Sequence, residues 1–370
     1  MAGQHRAGSH TPEGSALRGR APSRQPLRQH FKGGIADLRR LGSGVSRAHS
    51  TPELRAVAGG LAVKDESSQE TLSFSWPQLA SVPVEETERE ARGHHPSQGW
   101  RWMPHHLSKD ALWKKIREEA AEDAVAEPTL ASTLHSTVLV HQSLEKTMAF
   151  VIANKLASST LLGTHLMRLC LDAFEDDPAI IDACNADLQA VIDRDPACDK
   201  YTQCMLYFKG YQAVQSHRIA HWLWQKGRKA LAMALQSRVS EVFHVDIHPA
   251  VSIGRGILMD HATGIVMGET SIIGDNVSML HHVTLGGSGT GKGTRHPQIG
   301  HGVLLGAGAT VLGPVHVGEG TKIGAGTVVV ADVPSHSVAV GVPARIIKSN
   351  KKPEPCQSMD QCSGFKNYQI

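Results

Sequence analysis

Residues 299–329 decide the fold once they are written six at a time: IGHGVL, LGAGAT, VLGPVH, VGEGTK, IGAGTV and the V that opens the next hexad. Ile299, Leu305, Val311, Val317, Ile323 and Val329 head these hexads, and every one is aliphatic. Upstream, Ile247, Ile253 and Met259 keep the same period. Met267, Ile273, Met279 and Leu285 continue it after a two-residue slip. All thirteen positions are aliphatic or Met in a chain that is 41% hydrophobic, which composition alone would not produce. Such a short fixed period marks a β-solenoid. One residue of each short strand points inward and stacks on its equivalent one coil away, because a single coil cannot bury its own apolar face. Gly follows eight of the thirteen, where it is expected to permit turn geometry that a Cβ would hinder. The segment GGSGTGKGTRHPQ (286–298) breaks the period and is expected to leave the solenoid wall as a loop.

The period of six begins after Val245. Before it, Ser108 precedes KDALWKKIREEAAEDAVAE, an N-cap residue followed by helix formers with Leu112, Ile116 and Ala120 at helical spacing. Helical patterns recur over 130–158, 160–174 and 178–193, with Pro128, Pro178 and Pro196 at the breaks. A long helical region covers 205–245 with an interruption at Gly210, and its second part, HRIAHWLWQKGRKALAMALQSRVSEVF (217–243), is amphipathic. The expected organisation is therefore an α-helical domain at 107–245 and a β-solenoid at 246–347. They are flanked by a disordered leader at 1–106 and a flexible tail at 348–370.

Residues 1–50 carry nine Lys or Arg and two acids, Glu13 and Asp37, among Ser, Ala, Gly and Pro. That composition reads as an organelle transit peptide, chloroplast or mitochondrion, against the alternative of a plain disordered tail on a cytosolic protein. A net charge of +3 gives no sign of a general nucleic-acid binder, and no stretch approaches the length of an apolar membrane span. The six cysteines form no C-x-x-C pair and are expected to be reduced thiols, with no metal required.

The segments RDPACDKY (194–201), KGYQAVQSHRIAHWLW (209–224), DIHPA (246–250), LMDHATGIVMGET (258–270), HHVTLGG (281–287), TRHPQIG (294–300) and GVPARI (341–346) make the chain resemble the serine O-acetyltransferases of bacteria and plants. The hexads alone would indicate a broad acyltransferase superfamily; the RDPA, DHATG and RHP segments are more specific. The resemblance implies a left-handed parallel β-helix. It also implies acetyl transfer from acetyl-CoA to the hydroxyl of L-serine, with acetyl-CoA as a co-substrate rather than a bound cofactor, and feedback inhibition by cysteine.

Carried onto this chain, the family's catalytic base is His261 and its orienting carboxylate Asp246. A base of near-neutral pKa suits removal of the serine proton, and a carboxylate on the far ring nitrogen fixes the tautomer. The two are 15 residues apart, close to one coil of three hexads, so stacking is expected to bring them together. Asp195 and Asp260 match the acidic serine-binding positions, Arg295 the carboxylate clamp and His296 its neighbour at the substrate. Gly287, Ala307, Lys322, Gly324 and Ala325 lie where the family binds CoA. His248 is expected to be structural, while site roles for His281 and His282 stay open. Thr294 and Gln298 replace the Asp and Lys that usually flank the Arg-His pair, which alters the charge around that loop. Ile370 in the tail is expected to engage O-acetylserine (thiol) lyase, and sites between solenoids imply trimers paired into hexamers. Rival readings are a hexapeptide acyltransferase for sugars or acyl carriers, a zinc carbonic anhydrase built on three converging histidines, and a non-catalytic scaffold for the lyase.

Overall fold

The computed structural model describes residues 107–349 and 355–361. The leader and Ile370 lie outside them. Helices α1 (Lys109–Ala126), α2 (Pro128–Leu134), α3 (Leu144–Leu156), α4 (Gly163–Asp176), α5 (Ala179–Arg194), α6 (Tyr201–Tyr207), α7 (Lys209–Gln225) and α8 (Lys229–Phe243) come first, with a π-helical turn at His135–Leu139. Ser108 caps α1, its hydroxyl accepting from the Ala111 N–H, and Leu112, Ile116 and Ala120 are buried. Helix α8 ends where His244 turns left-handed at φ 58°, and the chain enters β1 at Val245, inside the span expected to be helical.

The solenoid follows as β1 (Val245–Ile247), β2 (Ser252–Ile253), β3 (Leu258–Met259), β4 (Ile265–Met267), β5 (Ile272–Ile273), β6 (Ser278–Met279), β7 (Thr284–Gly286), β8 (Gln298–Ile299), β9 (Leu304–Leu305), β10 (Thr310–Leu312), β11 (His316–Val317), β12 (Lys322–Ile323), β13 (Val328–Val329), β14 (Ser337–Val340) and β15 (Arg345–Ser349). These strands form three sheets. The first is β1-β4-β7-β10-β13, the second β2-β5-β8-β11, and the third β3-β6-β9-β12-β14-β15. All neighbours are parallel except β14 and β15.

Twelve of the thirteen hexad positions are at most 4% exposed and fill the interior of the coils; Ile253 is half-buried against them. Glycine after an inward residue has a different cause from the one expected. At Gly306 a Cβ would lie 2.5 Å from the Ala325 backbone nitrogen, so the residue is small to let the next coil approach, not to reach an unusual φ.

Helices α5 and α7 bind the solenoid through buried polar groups. Arg194, ending α5, donates to the Gly256 carbonyl at 2.9 Å, to Ser278 Oγ at 3.1 Å and to Asn276 Oδ1 at 3.2 Å. Arg218 of α7 pairs with Asp187 of α5 at 2.7 Å and also donates to the Ile253 and Gly254 carbonyls. Gly210, in the first turn of α7, lies so close to β3 that a Cβ would stand 2.1 Å from the Met259 carbonyl oxygen. Gly210→Ala should therefore force α7 off the coil. We expect about 1–3 kcal/mol of destabilisation, read as a fall in the thermal unfolding midpoint; an unchanged midpoint would show that the contact relaxes freely.

The tail is not wholly loose. Residues Pro355–Ser358 form a short helix, α9, with Cys356 fully buried and its carbonyl accepting from Ser278 Oγ at 2.9 Å. Apolar Cys356 finds cover that the absence of a hexad pattern does not reveal. Cys170, Cys184, Cys198, Cys204 and Cys356 are all free and buried. No helix of the described residues is long and apolar enough to cross a membrane.

Candidate active site

The corners between the third and first sheets stack into one edge. Asp260–Gly264 follows β3, Leu280–Val283 follows β6, Gly306–Ala309 follows β9 and Gly324–Thr327 follows β12. Backbone bonds knit the corners: His282 N–H to the Thr263 carbonyl, Gly308 N–H to the His281 carbonyl and Gly326 N–H to the Ala307 carbonyl, at 2.8, 2.9 and 2.8 Å. His261, His281, Ala307 and Ala325 thus share an edge on successive coils, each step about 4.8 Å.

His261 and Ala262 are both left-handed, at φ 56° and 55°. Two such non-glycine residues in succession cost on the order of 1–3 kcal/mol each. They turn the corner so that the His261 side chain is 75% exposed, with Nε2 3.8 Å from Asp260 Oδ1. The His281 ring lies 5.9 Å from that of His261 and the His282 ring 5.3 Å from that of His281. Burial lifts the Asp260 carboxyl above its ordinary pKa, and nearby Asp195 pushes the same way. Asp195 is the C-cap residue of α5, next to Arg194, which anchors the chain, and one of its oxygens accepts from the Ala197 N–H at 2.9 Å. A second acid and a base therefore converge on one edge, as an ammonium and a hydroxyl proton would require.

Asp246 does not join them in this structure. Its strand buries Val245 and Ile247 and leaves Asp246 on the outer face, but its carboxylate accepts from Gln236 Nε2 of α8. Among the described residues no ion pair within 4.0 Å links it to His261. The first coil is longer than three hexads. Val245 pairs with Ile265, a step of 20 residues, so the strand partner of Asp246 is Val266, beyond His261.

Arg295 and His296 stand elsewhere. They precede β8 and pack on Glu269 and Thr270, which follow β4, at the edge between the first and second sheets. Arg295 Nη2 is 2.5 Å from Glu269 Oε2 and holds the Glu269 carboxyl below its usual range. Thr270 Oγ1 receives the N–H groups of Arg295 and His296 at 3.0 and 3.1 Å and lies 2.9 Å from His296 Nδ1. Burial, then the Arg295 charge, lowers the His296 pKa, and burial does the same to His248 nearby. His248 Nδ1 accepts from the Ala250 N–H at 3.1 Å, which fits a structural role. Gly287 sits here too, not with the other residues expected to hold CoA; a Cβ on it would lie 2.9 Å from His296 Nε2. The run of extended chain along β4 separates this edge from His261 by roughly 15–20 Å.

Of the remaining residues expected to hold CoA, Ala307, Gly324 and Ala325 line the His261 edge, and Lys322 lies in β12 beside it. The tail occupies part of that surface. Lys322 Nζ donates to the Asp360 carbonyl at 2.5 Å and is 3.7 Å from its carboxylate, while the Ala307 N–H donates to Gln361 Oε1 at 3.3 Å.

Gln236, Glu269 and Thr270 escaped the sequence reading. A signal existed for two of them. Ile273 pairs with Ile299 across the loop, a step of 26, and the same step pairs Glu269 with Arg295 and Thr270 with His296. Nothing local marks Gln236. Among the described residues no three metal-binding side chains converge.

Two family models match the chain: the N-terminal domain of serine acetyltransferases over residues 112–216 and the bacterial transferase hexapeptide, six repeats, over 296–331. Serine acetyltransferase 5 of Arabidopsis thaliana is 55% identical over 258 residues, 68% of this chain and 83% of that protein. A soybean serine acetyltransferase solved in complex with serine is 57% identical, covers 65% of this chain and 98% of its own, and superposes with a TM-score of 0.64. A serine acetyltransferase solved in complex with cysteine is 47% identical over 71% of this chain and 100% of its own, with a TM-score of 0.68.

Proposed function

Since the chain belongs to the serine acetyltransferase family, we propose that His261 is the base that removes the hydroxyl proton of L-serine as its oxygen attacks the carbonyl carbon of acetyl-CoA. The new bond joins the serine oxygen to the acetyl carbon, and the carbon–sulfur bond breaks. The proton taken by His261 passes to the departing CoA thiolate. No acetyl-enzyme is involved.

Asp260 and Asp195 receive the ammonium, and Arg295 with His296 takes the carboxylate, the fork of Arg295 retaining donors beyond the one given to Glu269. These two groups lie at opposite ends of β4, so a complete site needs the edge of one copy against that of a second, which supports a trimer and, through the helical domain, a hexamer. Val266, 39% exposed on the outer face of β4, is an apolar residue suited to that seam. Acetyl-CoA then runs along the Ala307–Ala325 edge, where main-chain N–H groups can pair its amides and Lys322 its phosphate once residues 360–361 withdraw.

Asp246 serves His261 if its carboxylate turns from Gln236 when substrate binds; catalytic hydrogen bonds are often long before the substrate complex forms. Cysteine differs from serine by one atom, so the side chains that hold serine support feedback inhibition by cysteine. The basic leader supports import into an organelle, and Ile370 in the tail supports docking to the lyase; the leader and Ile370 lie outside the described residues.

The observation that carries this reading is the exposed His261 ring beside Asp260 and Asp195 on a solenoid edge of this family. Release of CoA thiol from acetyl-CoA, followed with L-serine, L-threonine and a sugar acceptor, tests it. Serine-dependent release is expected; none with L-serine, or equal release with the sugar, overturns it.

A further inference from the structure

We propose that Thr270 is a positioning residue that holds His296 as a neutral imidazole protonated on Nε2, so that His296 serves the substrate as a hydrogen-bond donor and not as a base. The inference rests on the serine-acetyltransferase reading and assigns the division of labour between its two histidines.

The assignment follows from counting donors and acceptors. A hydroxyl has two lone pairs and one hydrogen. The N–H groups of Arg295 and His296, at 3.0 and 3.1 Å, take both lone pairs of Thr270 Oγ1. Its hydrogen is left for His296 Nδ1 at 2.9 Å. The main-chain N–H of Thr270 also points at Nδ1, at 3.2 Å. Two donors meet that nitrogen, so it carries no proton, and the ring proton sits on Nε2. Adding a second proton would set N–H against N–H and O–H in a site where His296 is 8% exposed.

The charges around the ring agree. Arg295 and His248 disfavour an imidazolium; Glu269 favours one, but Arg295 already holds it. The Nε2 edge faces Gly268, where a Cβ would stand 1.9 Å away, and Gly287, so both glycines leave the donor clear. Among the described residues no side chain or carbonyl accepts from Nε2, which fits a donor reserved for a carboxylate or a developing oxyanion.

Thr270→Val, Thr270→Ala and Thr270→Ser, each in the full-length chain, test this in the CoA-release assay with L-serine and acetyl-CoA varied separately. Loss of the hydroxyl in Val and Ala should raise the KM for L-serine about tenfold or more and leave the KM for acetyl-CoA within about twofold. Ser, which keeps the hydroxyl, should restore the serine KM to within about threefold of wild type. The alanine variant adds no bulk, so it decides the matter if valine misfolds. An unchanged serine KM in Val and Ala, an equal rise in Ser, or a matching rise for acetyl-CoA overturns the proposal. A wild-type chain that releases no CoA with L-serine would instead fail the underlying activity, before any variant is compared.

Discussion

Replacing His261 by Ala should lower kcat for serine-dependent CoA release about a thousandfold, within the roughly 100- to 10,000-fold range that a positioned general base contributes. The expectation rests on geometry. The left-handed pair His261–Ala262 throws the ring out from the solenoid edge, next to Asp260, and commits backbone strain to doing so. His281 is the side chain best able to substitute, with its ring 5.9 Å away, but its Nδ1 is buried without a partner, which leaves Nε2 as the one nitrogen it can offer. A kcat within about tenfold of wild type in His261→Ala would move the base elsewhere.

Two companion variants then separate the carboxylates. Asp260→Asn should act mainly on the KM for L-serine, because that acid faces the ammonium. Asp246→Asn should act mainly on kcat, by about tenfold to a hundredfold, if it reaches the imidazolium during the reaction. A kcat unaffected by Asp246→Asn would leave that residue as a partner of Gln236 alone.

The largest stability effect is expected at Asp187. Its side chain is 1% exposed, and its oxygens take Arg218 Nη2 at 2.7 Å, Gln215 Nε2 at 2.9 Å and the Ile257 N–H at 2.8 Å. Asp187→Ala would strand a buried guanidinium, an amide and a backbone donor at the junction of α5, α7 and the first coil. Breaking one partner of a buried pair costs about 3–5 kcal/mol. Urea unfolding midpoints at one fixed protomer concentration measure it, since assembly would otherwise shift the apparent value. A loss below about 1 kcal/mol would mean that water enters the junction. The double variant Asp187→Leu/Arg218→Met should lose less than Asp187→Leu alone, because it removes the stranded charge.

The solenoid and its inward face are legible in the amino-acid order alone. Hydrophobic burial is non-directional and repeats with the backbone, so thirteen apolar residues in phase were enough to place the wall. The same order contains the Glu269–Arg295 and Thr270–His296 pairings, since a coil step counted across the loop is a matter of arithmetic. The family motifs single out His261, Asp260, Asp195 and Arg295 without reference to any contact. The remaining contacts depend on packing between distant segments. That packing gives the Asp246 carboxylate to Gln236, sets Gly287 on the edge opposite Ala307 and Ala325, and lays Asp360 and Gln361 over Lys322 and Ala307. Hydrogen bonds are short and directional. Which one forms depends on how α8 and the tail meet the coils, and no local periodicity in either segment encodes that meeting.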